Sequence, residues 1–268
     1  MDLALAQFAI EPGAIDRNRE RAVSEIASAA ADGADLVALP ELFSVGYFAF
    51  DSYARTAEPL DGPTIDAVAS AADEHDVAVL AGSIVEDLGA SAAAGVDVPS
   101  TEGYANAAVF LDRDGQRRAV YRKQHLFGYG SVEEELLTPG ESLPTVDFEG
   151  FSVGVVTCYD LRFPRLSRAI VDAGVTLLLV PSAWPYPRVE HWRLFTRVRA
   201  VENLLYLGAV NGVGEFADAT LLGRSAVYDP WGTTLASAGD ESTTVTATLD
   251  PERVDEVRAD FPALADRR

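Results

Sequence analysis

Apolar positions along this chain follow two periods in alternation. Residues 3–10 and 35–40 are apolar runs of strand length. Between them Val23, Ile26, Ala27 and Ala30 recur at i, i+3, i+4 and i+7, an amphipathic helix that Asp16 can cap and Gly33 stops. The alternation returns with a helix over 65–74, entered through Gly62-Pro63, and a strand over 77–85. Residues 90–103 are small, polar and broken by Gly and Pro, which predicts a surface loop. Strands over 106–111 and 116–121 flank Asp112-Arg113-Asp114-Gly115, a hairpin turn. A long irregular stretch, 124–143, follows, and such loops in compact domains are usually functional.

The pattern then resumes. A strand over 151–157 leads to a helix with Pro164 in its first turn and Leu166, Ala169, Ile170 and Ala173 on one face. Strand 175–180, helix 189–203 and strand 205–211 come next, and the last third reads as a meander of strands around 222–228, 233–236 and 243–249. Early strand–helix alternation with later hairpins predicts a layered α/β fold with mixed sheets. No repeat, linker or low-complexity tract divides it, so we expect one domain over 1–268, with its core at about 2–250 and a C-terminal extension at 251–268. Pattern alone fits two sheets packed face to face as well as one doubly wound sheet.

Composition narrows the classes. With 48% hydrophobic residues the chain is not a disordered one, and no apolar run approaches the ~18 residues of a membrane span. The first residues carry no basic segment of a secretory leader, so a cytoplasmic location without membrane attachment is expected. A formal charge of −21 repels phosphate backbones and argues against nucleic-acid partners. The 21 basic residues comprise 20 Arg and one Lys, Lys123. An acidic, nearly lysine-free surface points to a halophilic, salt-rich setting, where charges are screened over ~3 Å. Cys158 is the single cysteine, which excludes an intrachain disulfide and a cysteine metal cluster. His75, His125 and His191 lack ligand spacing, so no metal or cofactor is expected.

Three reactive side chains fall just past predicted strands: Glu41 after 35–40, Lys123 after 116–121 and Cys158 after 151–157. Carboxyl ends of strands converge on the ligand crevice of α/β sheets, and a cysteine at a strand-to-helix turn has the placement of a nucleophile elbow. A carboxylate base, a cation and a thiol are the parts of a covalent hydrolase. Each also has a plainer reading: a lone cysteine as a small buried hydrophobe, a glutamate as a cap, a lysine as solvated surface.

The local words around these residues are more specific. Leu39-Pro40-Glu41-Leu42-Phe43 with Gly46-Tyr47, Tyr121-Arg122-Lys123-Gln124-His125-Leu126-Phe127, and Val156-Thr157-Cys158-Tyr159-Asp160-Leu161-Arg162-Phe163-Pro164 closely resemble the nitrilase, or carbon–nitrogen hydrolase, superfamily. Pro181-Ser182-Ala183-Trp184-Pro185, His191-Trp192, Arg199-Ala200-Val201-Glu202-Asn203, Gly223-Arg224-Ser225 and Asp229-Pro230-Trp231-Gly232 extend the likeness over roughly 2–250. The resemblance implies an α-β-β-α sandwich of two mixed sheets and a Glu–Lys–Cys hydrolase. Glu41 matches the general base, Lys123 the oxyanion cation and Cys158 the nucleophile. A further family glutamate, placed from Leu137-Thr138-Pro139-Gly140, matches Glu133, with Glu134 one slip away. The family also implies a homodimer or higher homo-oligomer built through outer helices.

Within the superfamily, Cys158-Tyr159-Asp160 differs from the Cys-Trp-Glu of true nitrilases. With Trp184 and His191-Trp192 it looks most like ω-amidases and amidases of deaminated glutathione, whose substrates are terminal amides of 2-oxo acids. The resemblance therefore implies an amidase that hydrolyses a small linear carboxamide to a carboxylate and ammonia through a cysteine thioester. N-carbamoyl-amide hydrolase and nitrilase chemistry stay open as alternatives. An isochorismatase-type cysteine hydrolase and a non-catalytic binding subunit are further readings. Tyr47, Phe127, Tyr159, Arg162 and Trp184 are the candidate substrate contacts. Arg162 is a candidate for a substrate carboxylate or, equally, for a salt bridge to Asp160 or Glu202. Phe43 is a further pocket candidate, and His125 reads as a core histidine. Glu202 is expected to be at least partly buried and to act as support, ordering Lys123 or backbone. Asn211-Gly212 stands where these branches often carry Asn-Arg, which leaves the anion-binding part of the pocket open.

Overall fold

A computed structural model of the chain describes residues 1–129, 131–216 and 219–267. Its strands are β1 (Asp2–Gln7), β2 (Leu36–Ala38), β3 (Ala78–Asp87), β4 (Tyr104–Leu111), β5 (Arg117–Arg122), β6 (Thr145–Phe148), β7 (Phe151–Val155), β8 (Leu177–Ser182), β9 (Tyr206–Asn211), β10 (Val213–Phe216), β11 (Ala219–Leu222), β12 (Ala226–Tyr228), β13 (Thr234–Ser237) and β14 (Thr243–Thr248). Its helices are α1 (Ile15–Ala31), α2 (Tyr53–Thr56), α3 (Pro63–His75), α4 (Leu88–Ala93), α5 (Glu133–Leu136), α6 (Pro164–Asp172), α7 (Val189–Asn203) and α8 (Glu252–Asp260).

Two six-stranded sheets result, ordered β14-β1-β2-β3-β4-β5 and β13-β12-β9-β8-β7-β6, and β10 pairs with β11 apart from both. Each sheet is parallel at its centre and antiparallel at its margins. The period-2 pattern of β1 shows how the layers form. Leu3 and Leu5 join the core shared with Leu177, Leu179 and Tyr206 of the second sheet, while Ala4 and Ala6 face the core that holds Ile26 of α1 and Val68 of α3. The sheets approach closely: a Cβ on Gly208 of β9 would lie 2.9 Å from the Leu3 side chain. Helices cover the outer faces, so the fold is the α-β-β-α sandwich rather than a single doubly wound sheet. That removes the architecture an isochorismatase-type hydrolase would need. Among the described residues no helix is long and apolar enough to cross a membrane.

Several local expectations change. Asp16 does not cap α1, which begins at Ile15 with no side-chain cap. The buried face of α1 is Asn18, Ala22, Ile26 and Ala29, rotated from the predicted stripe. Asn18 causes the rotation, since its amide donates to the carbonyls of Glu11 and Ser44 and so is drawn inward. The 90–103 loop opens within α4, because Asp87 caps it by accepting from Ala90 N–H at 2.9 Å. The strand expected around 222–228 divides at Gly223, whose φ is +60°, into β11 and β12. β6 escaped the pattern because it is a half-exposed edge strand of four residues.

Candidate active site

The backbone presents the reactive groups through strained turns. Cys158 stands three residues past β7 at φ +48°, opening a short 3-10 turn, Cys158–Arg162. A non-glycine residue held there is costly, and such strain collects at functional sites. The turn is pinned by Asp160, whose Oδ2 accepts from Thr157 N–H at 3.0 Å and from the Tyr121 hydroxyl at 2.6 Å. Its Oδ1 meets His125 Nδ1 at 2.8 Å, and the His125 ring stacks on Phe163 at 3.6 Å. His125 thus braces the elbow from the Lys123 segment. Glu41 follows β2, and Leu42 beyond it also has positive φ, +46°. Gly82 permits that turn, because a Cβ there would lie 1.9 Å from the Pro40 carbonyl.

These turns bring Glu41, Lys123, Glu133 and Cys158 together at the base of one pocket. Glu41, Glu133 and Lys123 are sealed from solvent, at 0%, 0% and 1% exposure. Lys123 Nζ donates to Oε1 of Glu41 at 2.8 Å and to Oε1 and Oε2 of Glu133 at 2.8 and 3.0 Å. The second oxygen of Glu41 accepts from Ala183 N–H at 2.9 Å. Oε2 of Glu133 also accepts from Phe127 N–H at 2.7 Å and from the Tyr47 hydroxyl at 2.9 Å. Glu134 is exposed, so the buried glutamate of the loop is Glu133. It sits in the first turn of α5, which the expectation of an irregular 124–143 stretch did not contain.

The electrostatics follow from burial. Burial raises the Glu41 carboxyl above its ordinary range; Glu133 adds to this and Lys123 opposes it. Burial alone would lower Lys123, but the carboxylates of Glu133 and Glu41 outweigh it and hold the ammonium well above its ordinary value. The Cys158 thiol lies against Glu41 and is pushed up, first by burial and then by that negative charge. At neutral pH the arrangement sets a charged lysine and a protonated thiol on either side of the raised Glu41 carboxyl.

A cavity of about 470 Å³ opens above this base. Tyr47, Phe127, Tyr159, Arg162 and Trp184 all line it, as do Phe48, Phe50, Arg188 and Phe216. Tyr47 has a second role, since its hydroxyl holds Glu133 and its ring lies 5.1 Å below the Lys123 ammonium. Phe43 is fully buried in the core behind. Arg162 makes no salt bridge to Asp160 or Glu202; its guanidinium stacks on Trp184 at 4.9 Å and meets His191 Nδ1 at 3.2 Å. Glu202, half-buried on α7, pairs with Arg199 and Arg168, whereas Lys123 pairs with Glu41 and Glu133. Gly212 does not stand in for an arginine, since a Cβ there would point at Ile10, 2.8 Å away.

Asn106 was missed. Fully buried on β4, its side-chain amide donates to Glu41 at 2.9 Å and reaches Glu133 at 3.4 Å, and its backbone carbonyl accepts from the Lys123 backbone N–H at 2.9 Å. An amide heading an otherwise apolar strand was the available signal, since a buried amide must find partners. Among the described residues no group of three or more His, Cys, Asp or Glu is arranged to hold a metal ion.

The family description "Carbon-nitrogen hydrolase" matches residues 2–259. The chain belongs to that family. It is 32% identical over 272 residues to a 2-oxoglutaramate amidase of Paenarthrobacter nicotinovorans, across 100% of this chain and 90% of that protein. A carbon–nitrogen hydrolase superfamily protein of Xanthomonas campestris, solved with an arsenic adduct in its active site, superposes with TM-score 0.87 at 28% identity over 100% of this chain and 97% of that one. An amidase of Nesterenkonia sp. AN1, solved with the acetamide moiety of fluoroacetamide added covalently to its active-site cysteine, superposes with TM-score 0.83 at 26% identity over 100% and 94%.

Proposed function

We propose that this carbon–nitrogen hydrolase is an ω-amidase: it cleaves the terminal amide of a short 2-oxo acid to a dicarboxylate and ammonia, with Cys158 as nucleophile. The observation that carries the reading is the sealed Glu41–Lys123 pair beside Cys158, at the base of a pocket whose mouth holds Arg162. Relatives named for 2-oxoglutaramate and ω-amide hydrolysis support it.

Amide carbons are poor electrophiles, so a thiolate is needed, and a raised thiol pKa means it must be generated during attack. Glu41 takes the Cys158 proton as Sγ bonds to the carbonyl carbon. The oxyanion forms beside the Lys123 ammonium and the Tyr159 N–H, the second of the 3-10 turn, where the first donors lack helical partners. Glu41 then gives its proton to the departing nitrogen, and ammonia leaves with the C–N bond. Water next attacks the thioester; Glu41 accepts its proton and returns it to sulfur as the carboxylate departs. Glu133 holds Lys123 and, through Phe127 N–H, the pocket wall. Arg162 receives the substrate carboxylate, with its fork kept flat by Trp184.

Ammonia release from glutaramate, 2-oxoglutaramate, pentanamide, an N-carbamoyl amine and a nitrile tests the reading. The two amido acids should be turned over with far higher kcat/KM than the rest, and Cys158→Ala should be folded and inactive. Preference for the nitrile or carbamoyl compound, or an active alanine variant, overturns it. Self-association through the outer helices belongs to the same proposal, and α7 leaves Leu194 and Val201 exposed for it.

A further inference from the structure

Two guanidinium groups line the pocket, Arg162 and Arg188, and neither has a carboxylate partner among the described residues. Elsewhere arginines such as Arg113, Arg122, Arg199 and Arg224 each hold an acid. The contrast is sharp in a chain with 42 acidic and 21 basic residues. Apart from Glu41 and Glu133, sealed beneath its base, no Asp or Glu stands among the described residues at the pocket. Instead, aromatic rings carry the cations. Arg188 lies over Phe127 at 5.7 Å and Arg162 over Tyr159 at 5.8 Å. Phe127 and Tyr159 pack edge to face at 4.9 Å, so the two guanidiniums ride on adjoining rings. Burial, and after it the charge of Arg188, lower the pKa of Arg162.

One bidentate fork satisfies one carboxylate, and Arg162 is the rigid one, tied to His191 and pressed on Trp184. A second cation then has no carboxylate left to meet. The next group such a substrate would offer it is the one on the carbon beside that carboxylate. A carbonyl oxygen there accepts from a guanidinium, whereas an ammonium there faces two like charges at a partly desolvated mouth.

We propose that Arg188 is a specificity-determining residue that, with Arg162, bars an ammonium from the carbon beside the substrate carboxylate, so the site takes 2-oxo ω-amido acids and rejects the ω-amides of α-amino acids. The proposal rests on the ω-amidase reading above and names how that site excludes the commonest look-alike of its substrate.

Glutaramate and L-glutamine share a five-carbon frame and differ at the 2-position, so their kcat/KM ratio reads the exclusion directly. The wild type should favour glutaramate at least ~100-fold at neutral pH. Arg188→Gln should reduce that ratio at least ~10-fold, and Arg188→Lys, which keeps the charge, should retain most of it. A variant-free arm uses the substrate: as pH rises through the ionisation of the glutamine amine, the wild-type ratio should fall, while titration of the enzyme cancels between the two substrates. A ratio unchanged within twofold in Arg188→Gln, a ratio flat with pH, or a wild type that takes both alike overturns the proposal. If Arg188→Gln does not fold, the lysine variant and the pH arm decide. Glutaramate favoured over pentanamide with an unmoved glutamine ratio overturns only the role of Arg188. Pentanamide cleaved as well as glutaramate overturns the ω-amidase reading as well.

Discussion

The ammonium of Lys123 donates to Oε1 of Glu41 at 2.8 Å, and both side chains are sealed from solvent. The only lysine of the chain is therefore not a remnant of its surface but a buried counter-charge. An isolated ammonium there would cost several kcal/mol, and it is tolerated because two carboxylates and a tyrosine ring surround it. Lys123→Arg keeps the charge but needs room for a broad planar fork between those carboxylates. We expect at least ~100-fold loss in kcat, the scale of a displaced oxyanion donor. Lys123→Met should in addition unfold more easily, by about 3–5 kcal/mol, since it strands two buried carboxylates. Steady-state kinetics and urea denaturation check both; near-wild-type turnover in Lys123→Arg would remove the ammonium from the mechanism.

Acid sensitivity follows from Glu41. It must be ionised to take the thiol proton, and burial with Glu133 raises its pKa, so kcat/KM should fall on acidification at a pH above the ordinary carboxylate range. Glu133→Gln removes a negative charge that raises Glu41, which moves the acid limb to lower pH while kcat drops. A limb that stays in place in that variant would mean that Glu133 does not act on Glu41. On the alkaline side, Lys123 is held well above its ordinary value, so its deprotonation should not appear below about pH 10.

Asn106→Asp is the opposite perturbation. The wild-type amide donates to Glu41 at 2.9 Å without bringing charge. An aspartate there places a third carboxylate beside Glu41 and Glu133 and should move the acid limb upward. Asn106→Leu removes the donor without adding charge and should lower kcat with little change of profile. The pair of pH profiles distinguishes a positioning amide from one that is merely packed.

Tyr47 was expected as a substrate contact, and it does line the pocket, but its hydroxyl ends on Glu133. Tyr47→Phe keeps the ring under Lys123 and deletes that bond. A hydrogen bond to a charged group contributes about 1.5–3 kcal/mol, so kcat should drop roughly tenfold or more with KM nearly constant. A rise in KM alone would return Tyr47 to a purely substrate-facing role.

What could be read from sequence divides along physical lines. Glu41, Lys123 and Cys158 were legible because each follows a predicted strand, and strand ends position side chains whatever the loops do. The sandwich needed the family likeness, since the alternation of Leu3 and Leu5 with Ala4 and Ala6 says that β1 is covered on both faces but not by what. Arg162 was ambiguous because a guanidinium can stack or pair, and only the fold shows Trp184 beneath it and, among the described residues, no salt bridge to an acid. Asn106 offered only its polarity in an otherwise apolar strand, and Arg188 carries no local signal, since their partners Glu41 and Phe127 lie far away in the chain.

Salt should govern the whole molecule. A net charge of −21 is spread over one chain, and the surface ion pairs that offset it, such as Arg17–Glu11 and Arg253–Glu256, are exposed and individually weak. We propose that the acid excess is an adaptation to high salt. At molar salt the Debye length is ~3 Å and self-repulsion is screened; in tens of millimolar it acts across the protein and between subunits. Lowering salt should then weaken folding and self-association together, with activity falling in step. The buried Glu41–Lys123–Glu133 cluster is shielded from ions, so the loss should come from unfolding and dissociation rather than from a shifted pH profile of the folded enzyme. Sedimentation, near-UV circular dichroism and ammonia release across a salt series measure the three quantities. A folded, associated and active enzyme in dilute buffer would leave the acidic surface as a solubility device and the amidase assignment untouched.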